Sequence, residues 1–115
     1  MNYIDGFVAP VPTAKREEYI RHAAAAAEVF KEYGALRVVE CWGNDVPEGK
    51  RTSFTMAVQR EPEETAVFSW ITWPSRQARD AAWAKVMADE RMKNMQPPFD
   101  GKRMIYGGFE VLLDV

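Results

Sequence analysis

The chain has 115 residues, 47% of them hydrophobic, with 15 Lys and Arg set against 17 Asp and Glu, for a formal charge of -2 and a pI near 5.4. That length is too short for two ordinary domains yet carries enough apolar material for one core, so a single domain over residues 1–115 is expected. The interspersed basic residues leave no footprint for a phosphate backbone and no apolar run approaches the ~20 residues that span a bilayer, which argues against nucleic acid and membrane as partners.

Residues 3 to 9, Tyr-Ile-Asp-Gly-Phe-Val-Ala, read as a first strand closed by the rigid Pro10-Val11-Pro12. Thr13 is placed to cap a helix over about 14 to 33, in which Tyr19, Ala23, Ala26, Ala27 and Phe30 recur at three and four residues and Gly34 serves as a left-handed stop. The stretch from Ala35 to Val46 turns β-branched and forms the second predicted strand. Residues 47 to 63, punctuated by Pro47, Gly49 and Pro62, read as a short helical turn or as irregular chain. Thr65 to Trp73 is a clear strand, after which Ser75 caps a second helix that fades near Met92. A loop through Gln96-Pro97-Pro98-Phe99-Asp100-Gly101 leads into a last strand from Arg103 to Leu113, where Gly107 and Gly108 imply a close approach. The predicted class is α+β with ferredoxin-like βαββαβ order: an antiparallel four-stranded sheet with two helices on one face.

The strands do not alternate cleanly between apolar and polar residues. Ile4, Gly6 and Val8 share one side of the first, with Gly6 expected to admit a helix, while Tyr3, Phe7 and Ala9 surround Asp5 on the other. Val67 and Ile71 likewise stand opposite Phe68 and Trp70. Leaving such an aromatic face wet forgoes about 25 cal/mol per Å² of apolar surface, so a second copy packed across a two-fold axis is the expected cover, with segment 47 to 63 as the internal alternative.

The segments Tyr3-Ile4-Asp5-Gly6-Phe7-Val8, Phe68 to Ser75, Lys85-Val86-Met87-Ala88-Asp89 and Phe99 to Phe109 together resemble the bacterial YbaA-like family of uncharacterised proteins, domain of unknown function 1428, over essentially the whole chain. The resemblance implies a dimeric α+β barrel. The superfamily to which that fold is similar holds cofactor-free oxygenases, haem-degrading enzymes, isomerases and ligand-sensing domains, so fold alone selects no function.

Each candidate chemistry has a plainer reading beside it. His22, the sole histidine, is the default general base, yet its place at the margin of the apolar stripe favours a structural role. Asp5, Glu40 and Glu110 lie in predicted strands and alternation can gather two or three on the aromatic face, where burial and like charge raise a pKa; ion pairs with Arg37 or Arg103 are the plainer account. Trp42, Trp70, Trp73 and Tyr106 can wall a pocket or simply fill a core. Cys41 reads as a buried, inert thiol and the sole cysteine, consistent with a reducing, cytoplasmic setting, and one cysteine with one histidine offers no zinc spacing. No motif announces a cofactor.

The expectation is therefore a homodimer that binds a small apolar or aromatic ligand or acts as a cofactor-independent enzyme, with Asp5 and Glu40 as polar groups of the site and Trp70 and Tyr106 as its walls. The competing reading is an interaction module whose aromatic face serves only dimerisation.

Overall fold

A computed structural model describes residues 1–115, with elements in the order β1 (Tyr3–Pro12), α1 (Arg16–Glu32), β2 (Arg37–Trp42), α2 (Phe54–Ala57), β3 (Glu64–Trp73), α3 (Arg76–Ala88), α4 (Glu90–Lys93) and β4 (Ile105–Glu110). The four strands form one open antiparallel sheet in the order β2-β3-β1-β4.

Strand β1 runs three residues further than the sequence suggests, because Pro10, Val11 and Pro12 stay in register with Ala66, Thr65 and Glu64 of β3. Strand β4 pairs with β1 only as far as Val8. Past that point one side of β1 is an edge, where a missing N–H costs no ladder bond and proline is tolerated. This extension overturns the expected Thr13 cap. Thr13 sits in a 3-10 turn with its hydroxyl paired to that of Thr65 at 2.7 Å, and α1 begins at Arg16 with no side-chain cap. The exit is as expected: Gly34 has φ +114°, and the Ala35 N–H closes back on the Phe30 carbonyl at 3.0 Å. Ser75 caps α3 by accepting from the Ala78 N–H at 3.0 Å, and Asp89 does the same for α4 from Arg91.

Register decides which side chains share a face, since directly paired residues in an antiparallel ladder point the same way. Tyr3, Asp5, Phe7 and Ala9 pair with Trp73, Ile71, Ser69 and Val67, and this layer lies under the helices. Tyr3, Ile71 and the fully buried Trp73 join Ala26, Val29 and Phe30 of α1 with Ala82 and Val86 of α3 in the main core. Alanine on the facing side of both helices keeps them close to the sheet, where burying each valine or larger side chain contributes about 1.5–3 kcal/mol.

The opposite face carries Ile4, Gly6 and Val8 with Phe68, Trp70, Ile105 and Phe109. Gly6 therefore admits no helix: a Cβ there would meet the Phe109 ring at 3.5 Å, so the glycine makes room for an aromatic on the open face. Gly108 lies on the helix side, where a Cβ would collide with the Tyr3 hydroxyl and approach the Arg79 guanidinium at 2.9 Å. Segment 47–63 covers only one corner of the open face. It forms α2, capped by Ser53, and sets Phe54 edge-on against Phe68 at 5.8 Å, leaving Phe109 60% and Phe68 44% exposed. Cys41, read as buried, is exposed, because its partner in register is Phe68 of that open face.

Candidate functional site

Two carboxylates sit in the layer beneath the helices, and the surrounding elements treat them differently. Asp5, only 3% exposed, accepts from Trp73 Nε1 and Trp83 Nε1 at 2.8 Å each and from Arg79, whose Nη2 lies 2.7 Å and Nε 3.0 Å away. Charge-assisted bonds of this kind are the strong ones, and here they occupy both oxygens. The arrangement raises the pKa of Arg79, chiefly through the bond to Asp5. The sequence-based pairing of these acids with Arg37 or Arg103 does not occur for Asp5; its partner comes from α3.

Glu40 stands on β2 opposite Ser69 of β3, on the same face. The Tyr19 hydroxyl, one turn into α1, donates to its Oε1 at 2.6 Å. Ser69 is near enough to pull the Glu40 pKa down without completing a hydrogen bond of good geometry, and Tyr19 acts in the same sense. Both are outweighed: packing around the carboxylate excludes enough water to raise its pKa above the ordinary glutamate value, although the residue as a whole is exposed. Burial and then the neighbouring Glu40 charge push the Tyr19 phenol well above its usual value. His22, one turn further along α1, is half-buried, and loss of water lowers its pKa, which favours the neutral imidazole.

These groups converge on a cavity of about 180 Å³ between α1 and the sheet. Phe7 and Ile71 form its floor, Phe30 and Trp83 one wall, and Phe99 another. Trp83 is held in place by its bond to Asp5 and by edge contact with Phe30 at 5.1 Å. Phe99 reaches in from the irregular segment between α4 and β4, with ring centroids 5.9 Å from Tyr19 and 6.3 Å from His22. A staple at the end of that segment fixes it: Arg103 makes two 2.7 Å bonds to the Glu64 carboxylate, with further bonds to Asp100 at 2.9 Å and to the Gln59 carbonyl at 2.8 Å. The Arg103 bonds hold Glu64 below the usual carboxylate range.

The four residues singled out from sequence do not meet in one place. Glu40 lines the cleft. Asp5 lies in the same layer, but its oxygens are engaged by Trp73, Trp83 and Arg79. Tyr106 stacks on Phe7 at 6.4 Å toward the sheet edge and is 74% exposed. Trp70 is on the other face, beside a hollow of about 630 Å³ lined by Phe68, Ile105 and Phe109, larger than the cleft but without convergent polar groups. The expected gathering of acids on the aromatic face is thus corrected by register: Asp5 and Glu40 share the helix side, and Glu110, paired with Tyr3, is exposed at its margin. Sequence reasoning passed over Tyr19 and Ser69 and set His22 aside. The spacing of Tyr19 and His22, one turn apart on α1, is the signal that would have linked them.

Fold and cleft together define a class: an open α+β sheet with helices on one face and an apolar cleft beneath them bearing a few titratable groups. The family described as Protein of unknown function (DUF1428) matches residues 2–101, and the chain belongs to that family. It is 59% identical to the Uncharacterized protein YbaA of Escherichia coli (strain K12) over 116 residues, covering 99% of each chain. The proteins of that name from Escherichia coli O157:H7 and Shigella flexneri match at the same identity and coverage.

Proposed function

We propose that this protein binds a small molecule in the cleft beneath α1, with Glu40, Tyr19, His22 and Ser69 as its polar contacts. The observation that carries the reading is the convergence of three groups with displaced pKa values on one apolar cavity, the usual mark of a binding or catalytic site. The same set suits proton transfer without a cofactor: a glutamate whose pKa is raised beside a histidine whose pKa is lowered brings an acid and a base closer to matched strength. A ligand-observed fragment screen followed by amide-shift mapping tests it. Shifts clustering at Tyr19, His22, Glu40 and Ser69 are expected; fragments that bind only elsewhere would overturn the reading.

In this reading the whole chain is one domain of ferredoxin-like βαββαβ type, and the strand order β2-β3-β1-β4 supports that. The open face serves a second copy of the chain in a dimeric α+β barrel. Its residues are almost uncharged, Arg37 and the Arg103-paired Glu64 being the exceptions, which suits a partner of identical composition. Two strands of roughly 33 Å and two of roughly 20 Å at ~4.8 Å spacing give a footprint of roughly 500 Å², more than half of the ~800 Å² per partner of a stable interface. Sedimentation analysis decides it: a dimer that Trp70→Arg converts to a monomer supports the pairing, and a wild-type monomer at tens of micromolar, roughly the range where such interfaces persist, sinks it. An exposed, unpaired Cys41 accords with a cytoplasmic, reducing setting.

A further inference from the structure

We infer that the cleft beneath α1 selects an uncharged, hydroxyl-bearing molecule of a single ring, and that Phe99 sets the size limit. The inference rests on the binding role proposed for that cleft and names the ligand it takes.

Size comes first. A cavity of ~150 Å³ walled by aliphatic and aromatic side chains is enough to bind benzene. The present cavity, about 180 Å³, therefore matches one ring with one or two small substituents, and a fused second ring exceeds that volume. Phe99 is the one ring of the lining that comes from outside the sheet, α1 and the Asp5-anchored Trp83; Met92 and Met104 complete that side with flexible side chains, so Phe99 is its rigid part. The Phe99 segment is held outside the cavity by the Arg103 staple to Glu64, so trimming the ring leaves its anchor untouched.

Charge comes second. No Lys or Arg lines the cavity, and its one ionisable acid is Glu40, so an anion finds no counter-charge and meets a carboxyl group. The cost of desolvating a charge then separates a hydroxyl from an ammonium. Tyr19 occupies Oε1 of Glu40, and no side chain makes a good hydrogen bond to Oε2. Ser69 and a neutral His22 each offer both a donor and an acceptor. A ligand hydroxyl can donate to Glu40 and accept from Ser69 or His22 at once; an ammonium can donate to the same three groups, and what disfavours it is the cost of stripping water from a cation among apolar walls. Flat apolar walls from Phe7, Phe30, Trp83 and Phe99 suit the faces and edges of an aromatic ring.

The test is an NMR titration of the full-length protein with phenol, toluene, benzoate, benzylamine and 2-naphthol, reading the amides of Tyr19, His22, Glu40 and Ser69. Phenol should bind there about tenfold more tightly than toluene, the scale of one good hydrogen bond, and more tightly than either charged probe. Glu40→Leu should bring phenol down to the level of toluene. Naphthol should be refused by the wild type and admitted by Phe99→Ala, with Phe99→Leu as the substitute if the alanine variant fails to fold. Equal or tighter binding of benzoate, benzylamine or toluene, or entry of naphthol into the wild-type cleft, overturns the inference. If other fragments map to the cleft while phenol does not, the ligand class is wrong and the binding role stands. If nothing maps there, both fall.

Discussion

Asp5 and Glu40 are carboxylates on β1 and β2, the two strands that flank β3, pointing into the same layer, and they end in opposite conditions. Asp5 lies under α3, which delivers an arginine and a tryptophan to it, while β3 adds a second indole; every lone pair it needs is met by a donor of the fold. Glu40 lies under α1, whose facing side is alanine, so the helix supplies one phenol and otherwise leaves space. The lesson is that burial of a charge does not by itself mark a functional group. What marks it is a carboxylate partly stripped of water with donors withheld, because its pKa then rises and a ligand can complete the shell.

The sharpest way to break this comparison is to remove the saturated acid. Asp5→Ala strands the Arg79 charge and two indole N–H groups and should cost about 3–5 kcal/mol, read from urea unfolding, since losing one partner of a buried pair leaves the other uncompensated. A loss under about 1 kcal/mol, the scale of an exposed ion pair, would show that Asp5 is no structural centre.

A smaller effect is expected at Glu64, the other well-satisfied acid. Its pKa is depressed by Arg103, so its contribution is whole above the unfolded value near 4.5 and is lost as pH falls through the lower folded value. Arg103→Met should lower the melting temperature at pH 7 and flatten that acid-side decline; an unchanged pH profile would show that the staple does not hold the segment bearing Phe99.

Glu40 should show the reverse sign. Its folded pKa is raised, so the protein is favoured below the unfolded value and loses stability as pH rises from about 4.5 through the folded value. Glu40→Gln removes the penalty of a partly desolvated charge and should raise the melting temperature slightly at pH 7–8 with no gain below pH 4, a small effect because the exposed residue is screened by solvent. Destabilisation at both pH values would place Glu40 with Asp5 as a scaffold group.

The least effect belongs to His22. Its folded pKa is lowered by loss of water, so the unfolded chain takes up the proton first and stability falls as pH drops from about 7 through the ordinary value of 6.5 to the folded one. His22→Phe should remove that small slope, measurable by thermal melts from pH 7.5 to 5.5. A slope that survives the substitution would mean another group titrates there.

Much of the fold is legible in the text of the chain. Runs of β-branched and aromatic residues locate four strands, three-and-four spacing locates α1 and α3, and Ser75 and Gly34 mark a start and a stop through side-chain and backbone chemistry that is purely local. The misplaced features share a cause. Pro10 and Pro12 look like terminators, and only the shortness of β4 makes the edge on which they are harmless. Thr13 looks like a cap, and only the extended β1 puts its hydroxyl opposite Thr65 instead.

The candidate site was legible in part for the same reason. That Glu40 is a strand carboxylate among apolar neighbours, that His22 is the one group titrating near neutrality, and that the chain is near neutral overall are properties of the sequence and hold in any packing. Which acid is saturated and which is left wanting was decided by register and helix placement. A shift of one residue in either ladder would exchange the faces, sending Glu40 out among Phe68 and Trp70 and bringing Gly6 beneath the helices. Pairing of strands far apart in the chain depends on the summed packing of both sheet faces, a quantity that no local window of residues contains.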